Sequence, residues 1–185
     1  MRIKPNDSLL LVIDLQERLL PAIDGADDVL ANATWTVDVA QTLGIPVLAT
    51  EHCPNSIGLT EPNLRSRLQQ SAVLEKEHFS AVSEGRLLKM DNAQRQQWVV
   101  VGTEAHVCVQ QTVLDLLALG RSVYVVEEAV GSRRCRDKEL ALQRMQQNGA
   151  AIVSREMVAF EWLERANTST FRDVLKRYIR GSISS

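Results

Sequence analysis

The chain has 185 residues, of which 45% are hydrophobic and 24% charged; 21 Lys and Arg stand against 23 Asp and Glu, a formal net charge of −2. These values exclude a disordered chain, a collagen-like repeat and a disulfide mini-scaffold, and the length suits a single domain, 1–185. The basic surplus of a nucleic-acid binder is absent, so no nucleic-acid partner is expected.

The first predicted element is a strand over residues 8–13, a continuous apolar run between Pro5-Asn6-Asp7 and Asp14. It is too short for a signal sequence or a membrane span, so a cytoplasmic protein without membrane attachment is expected. Residues 27–43 carry Val29, Leu30, Ala33, Val37, Ala40 and Leu43 at helical spacing. A second strand is predicted over 45–50 and a weaker third over 73–75. A strong fourth covers 97–102 and leads into a helix over 108–119 that stops at Gly120, a C-cap signal. A strand over 122–127, a helix over 137–147 and a strand over 150–153 follow. Residues 168–180 return to helical spacing through Phe171, Val174, Leu175 and Tyr178.

Strands that are apolar throughout are buried on both faces. Alternating with helices, they predict an α/β fold: a three-layer Rossmann-like sandwich with a six-stranded, mostly parallel sheet in the order 3-2-1-4-5-6. Ligands of such sheets bind beyond the carboxyl ends of the strands. The residues that follow each strand therefore hold the functional information.

Asp14 follows strand one. It caps the next turn or does chemistry. Lys76 follows strand three and, before the other residues are considered, reads as a solvated loop lysine. Cys108 stands where strand four passes into a helix. It is either a small buried hydrophobe or a nucleophile whose thiolate is favoured by the helix N-terminus. In the predicted strand order the three converge on one crevice. A carboxylate that takes a thiol proton, an ammonium that stabilises the thiolate and a sulfur form a workable nucleophile set. Backbone N–H groups at the start of the Cys108 helix face the same place and suit an oxyanion.

These residues resemble a known family. Asp14-Leu15-Gln16, Lys76 with Phe79-Ser80, and the run Gly102-Thr103-Glu104-Ala105-His106-Val107-Cys108-Val109 with Thr112 and Asp115 are similar to the isochorismatase-like cysteine hydrolases. Thr50-Glu51 and Gly58-Leu59 point to the isochorismatase domain-containing branch. The resemblance implies a hydrolase that cleaves amides or other C–N bonds of a small molecule, with Asp14, Lys76 and Cys108 as a triad. It implies a non-proline cis peptide at Thr103–Glu104 and an oxyanion hole from the N–H groups of Glu104 and Cys108. Family members are commonly homo-oligomers. The metal-binding nicotinamidases of the family carry an Asp and two His residues after the second strand. Here that region reads Glu51-His52-Cys53-Pro54, so no metal and no cofactor is expected.

His106, two residues before Cys108, and Phe79, close to Lys76, are the candidates for substrate contact. Trp35 and Trp98 read as core. Cys53 falls near the expected site mouth. Cys135 sits in the run Arg133 to Arg136, a solvated helix start with Ser132 or Asp137 as cap, or an anion-binding cluster. Three cysteines without a CxxC pair suit a reducing compartment and give no support to structural zinc. The tail helix docks on the sheet or on a neighbouring subunit. Phe160, Trp162 and Leu163 are available to a subunit interface. Two other functions stand beside the hydrolase: a binding or scaffold protein that keeps the fold, and a dinucleotide-binding domain. No Gly-x-Gly-x-x-Gly follows strand one, which disfavours the latter.

Overall fold

A computed structural model of the chain describes residues 1–180. Residues 181–185 of the expected 1–185 unit lie outside the described residues. β1 (Ser8–Ile13) has all six side chains buried, and each fully buried Leu, Ile or Val contributes roughly 1.5–3 kcal/mol. A strand of that composition belongs at the centre of a sheet. It pairs in parallel with β2 (Val47–His52) on one side and β4 (Gln97–Thr103) on the other. β3 (Val73–Lys76) pairs with β2, while β5 (Ser122–Gly131) and β6 (Ala151–Val153) extend the other flank. Among the described residues one sheet forms, in the predicted order β3-β2-β1-β4-β5-β6, with every pairing parallel.

Alternate residues of the strands feed two cores. Leu10, Val12, Val99, Val101 and Val126 meet α1 (Ala26–Thr42), α6 (Arg155–Leu163) and α7 (Ser169–Val174) through Ala33, Val37, Val158, Trp162 and Val174. Leu9, Leu11, Ile13, Trp98, Val100 and Val125 meet α4 (Gln110–Ala118) and α5 (Cys135–Gln147) through Val113, Leu116, Ala141 and Met145. Two short helices, α2 (Pro54–Ile57) and α3 (Pro62–Arg65), lie between β2 and β3. The period-two alternation of strand side chains thus produces three layers.

The tail docks on its own chain. Trp35 on α1 donates through Nε1 to the Tyr178 carbonyl at 2.8 Å, and Val174 and Ile179 are buried. Trp98 is core as expected, whereas Trp35 is only half-buried. Trp162 and Leu163 are buried in the α1/α6 layer, so they are not free for a subunit interface; Phe160 remains exposed. α5 begins at Cys135 with Arg134 as N-cap and no side-chain cap bond. Neither Ser132 nor Asp137 caps it, because Ser132 is bonded to His106 instead.

β2 and β5 both run further toward their carboxyl ends than the apolar pattern predicts. β2 takes in Glu51, whose buried carboxylate accepts from the Thr60 N–H and hydroxyl at 2.8 and 2.7 Å. β5 passes through Glu127 and Glu128 to Gly131 by a register shift against β4 between Val100 and Gly102. Gly102 sits at that shift with φ 145°, and a Cβ there would lie 2.2 Å from the Ile13 carbonyl oxygen. The absence of a side chain lets β4 close onto β1 directly beneath Asp14.

Candidate active site

Asp14 is the first residue past β1 and is held by both neighbouring strands. Its N–H donates to the Thr50 carbonyl at 3.2 Å, and its carbonyl accepts from the Thr103 hydroxyl. Its φ of 51° is a left-handed conformation that Asp tolerates better than most residues. The side chain is fully buried. One carboxylate oxygen accepts from the Thr50 hydroxyl at 2.6 Å, and the other from Lys76 Nζ at 2.7 Å. Lys76 ends β3 and reaches past β2 to make that ion pair. It is 2% exposed and also donates to the His78 carbonyl at 3.3 Å. A buried charge requires such partners.

Cys108 lies in a π-helical turn, Ala105–Val109, that opens into α4. The regular helix start predicted from the sequence is thus replaced by a wider turn, of a kind that recurs at functional sites. The thiol is 4% exposed and lies within the electrostatic reach of both Asp14 and Lys76. Burial pushes its pKa up, the Asp14 charge pushes it further, and Lys76 opposes them without prevailing. The resting group is therefore a thiol. The helix N-terminus does not make it a thiolate, contrary to the sequence expectation, because desolvation outweighs a partial charge.

Among the described residues there is no cis peptide bond, so the one predicted at Thr103–Glu104 is absent. Glu104 instead turns the chain with φ 54° and ψ 62°. Its carbonyl accepts from the N–H groups of Val107 and Val109 at 2.8 and 3.3 Å, which closes the turn that carries Cys108. The Glu104 carboxylate is buried and pairs with Arg133 Nε at 2.6 Å. His106 Nδ1 lies 3.0 Å from the Ser132 hydroxyl, and the ring lines an outward cleft of about 650 Å3 with Gln110, Asp137, Leu140 and Arg144.

Phe79 is 51% exposed, with its ring 5.4 Å from that of His52. His52 ends β2, and its pKa is lowered, first by burial and then by Lys76. Cys53, beside it, donates its N–H to the Lys76 carbonyl at 2.9 Å and lines a cavity of about 290 Å3 with Pro54, Asn55, Lys76, Glu77 and Arg86. Among the described residues no three His, Cys, Asp or Glu side chains gather closely enough to hold a metal ion.

The structural roles of several residues escaped sequence reasoning, although most of them stand in the motifs quoted above. Thr50 and Thr103 position Asp14; the signals were their place near the ends of strands that flank β1 and in the motifs of the resemblance. Gln16 clamps the turn after β2: its Nε2 donates to the His52 and Gly58 carbonyls, and its Oε1 accepts the His52 N–H at 2.8 Å. Thr112 and Asp115 hold the segment after Lys76, accepting from the Ala81 N–H at 3.0 Å and the Ser80 hydroxyl at 2.6 Å. Arg133, read within a solvated run, covers Glu104.

The family model for the isochorismatase domain matches residues 8–157. The chain is 33% identical to isochorismatase domain-containing protein 2A of Mus musculus, over 95% of this chain and 84% of that protein. A solved structure described as MAR1 ribonuclease from Caenorhabditis elegans is 34% identical, with a TM-score of 0.86 over 95% of this chain and 91% of that one. The YcaC gene product of Escherichia coli, described as an octameric hydrolase of unknown specificity, shares the fold at TM-score 0.89 and 22% identity, over 98% and 92% of the two chains. With its sheet order, its strand-end residues and these matches in agreement, the chain belongs to the isochorismatase family.

Proposed function

We propose that the protein is a cysteine hydrolase that cleaves an amide or related C–N bond of a small molecule. The observation that carries this reading is the buried Asp14–Lys76 ion pair, with both members acting on the buried Cys108 thiol. In the proposed reaction Asp14 takes the Cys108 proton as the sulfur bonds to the substrate carbonyl carbon. Lys76 balances the negative charge shared between carboxylate and sulfur. The tetrahedral oxyanion rests on the N–H groups of Glu104 and Cys108. The C–N bond breaks and Asp14 returns the proton to the departing nitrogen. Water then attacks the thioester, giving one proton to Asp14; the C–S bond breaks and the sulfur recovers its proton from Asp14. Phe79 and His106 are assigned to the walls of the substrate site.

The resting thiol fits this scheme, since proton transfer and attack are coupled to a bound substrate. An RNA substrate, suggested by the description of the nematode protein, fits less well. Lys76 is already matched by Asp14 and Arg133 by Glu104, so a phosphodiester charge meets cations that are engaged. The octameric description of the bacterial structure and the exposed Met157 and Phe160 on α6 support a homo-oligomer.

The test is a screen of amides, carbamoyl compounds and short RNAs for ammonia or fragment release, with Cys108→Ala as control. Turnover of an amide that disappears in Cys108→Ala while the melting curve persists is the expected result. Undiminished turnover in that variant, or a folded protein that only binds, ends the proposal.

A further inference from the structure

Lys76 is a buried ammonium at the outer edge of the sheet. β3 pairs with β2, and among the described residues no strand lies on its far side to hold it. An ammonium has three N–H donors, and burial makes each unfilled one costly. Asp14 takes one at 2.7 Å, and the His78 carbonyl takes a second at 3.3 Å. That carbonyl belongs to the loop after β3, so whatever fixes the loop also fixes the amine.

One side chain gathers that loop. Glu84 Oε1 accepts from the N–H groups of Glu77 and His78 at 2.8 and 3.1 Å and lies 3.1 Å from His78 Nδ1. Oε2 accepts from Arg86 Nε at 3.1 Å and from Arg86 Nη2, which also donates to the Glu75 carbonyl. These bonds, the Glu77 N–H first among them, hold the Glu84 carboxyl well below the usual carboxylate range. The peptide group between Lys76 and Glu77 is gripped from both sides, because its carbonyl accepts the Cys53 N–H at 2.9 Å. Beyond His78, the Ser80 hydroxyl and the Ala81 N–H are tied to Asp115 and Thr112 on α4. His78 thus spans two anchors, Glu84 on one side and α4 on the other.

We propose that Glu84 is a positioning residue: by gripping the two peptide groups that precede the His78 carbonyl, it keeps that carbonyl on the Lys76 ammonium and the ammonium on Asp14. The inference deepens the hydrolase reading and rests on it for the role of Lys76. In that reaction the cation balances a charge that moves between carboxylate and sulfur, and Coulomb attraction falls as a cation drifts away.

A proton–nitrogen correlation spectrum of the lysine ammonium groups tests this. Ammonium groups open to water exchange their protons too fast to give a signal. Lys76, 2% exposed, is expected to give a slowly exchanging one that vanishes in Lys76→Met. Glu84→Ala removes the acceptor of both N–H groups, and proton exchange at the Lys76 ammonium is expected to quicken about tenfold or more. Glu84→Gln keeps an oxygen for the two N–H groups while giving up the charge, and exchange is expected to stay within about threefold of native. Thermal unfolding of both variants is expected to stay close to native, since the Glu84 carboxylate bonds within its own loop. Unchanged exchange in a folded Glu84→Ala overturns the proposal, as does equal acceleration in Glu84→Gln or the lack of any Lys76 signal in the native protein. A Glu84→Ala chain that fails to fold, or melts as early as Lys76→Met, also overturns it, because the residue then supports the fold and not the amine. The hydrolase reading is decided apart from all of these, by turnover in Cys108→Ala.

Discussion

Replacing Lys76 by Met keeps the aliphatic stem and deletes the ammonium. Asp14 retains the Thr50 hydroxyl but loses the cation 2.7 Å away. At an effective dielectric of about 20, that separation corresponds to an attraction of about 6 kcal/mol. Both side chains are shut off from solvent, so screening removes little of it. Part of the attraction already offsets desolvation, and removing one member of a buried pair costs about 3–5 kcal/mol because a charge is left stranded. For a chain of this size each kcal/mol moves the melting midpoint by about 2–4 °C, so a fall of roughly 6–20 °C is expected. Urea unfolding at pH 7 gives the free energy directly. Asp14→Asn combined with Lys76→Met removes both charges and should lose less than the two single variants together; Asn also tolerates the left-handed backbone. A single variant within about 1 kcal/mol of the native protein, or strict additivity in the double variant, would refute the view that this pair is desolvated and coupled.

Two further outcomes follow from the same geometry. Gly102→Ala places a methyl group 2.2 Å from the Ile13 carbonyl oxygen at a φ of 145°; a loss of about 3 kcal/mol or more is expected in thermal or urea unfolding, with modification of Cys108 disturbed because the β1–β4 seam carries Asp14. The raised Cys108 pKa means that the folded chain keeps a proton that the unfolded chain releases near pH 8.5; stability should fall by up to about 1.4 kcal/mol per pH unit above that point, and Cys108→Ala should flatten the decline in a pH series of unfolding curves.

Strands whose side chains are wholly apolar were legible because burial on both faces leaves no other composition. β1 and β4 are the clearest, and with right-handed crossovers they determine most of the topology. The far ends of β2 and β5 were hidden because polar residues there have partners distant in sequence. Glu51 is paid for by Thr60, and Glu128 accepts the Arg155 N–H at 3.0 Å. Asp14, Lys76 and Cys108 were each ambiguous by position; taken together in the expected strand order, and with the family resemblance, they were legible as a set, and the fold brings them together. The protonation of Cys108 was not, since it is decided by burial and by two charges that arrive from other strands. The Glu104–Arg133 pair was equally invisible: it joins the ends of β4 and β5, and nothing local marks it.

Lys76 rides on the outermost rail of the sheet. β3 is four residues long, and only its last side chain is fully buried. Arg86 fastens that rail from outside, donating to the Glu75 carbonyl while it holds Glu84. The amine that neutralises Asp14 at the centre of the molecule is thus anchored at its margin, and the two can part company without the rest of the sheet coming undone. Detachment of one short ribbon, an opening far less demanding than global unfolding, is enough to strip Asp14 of its cation. Amide exchange at Leu74 and Lys76 therefore reports on the integrity of the Asp14–Lys76 pair, whereas exchange at Leu10 and Val12 reports on survival of the fold.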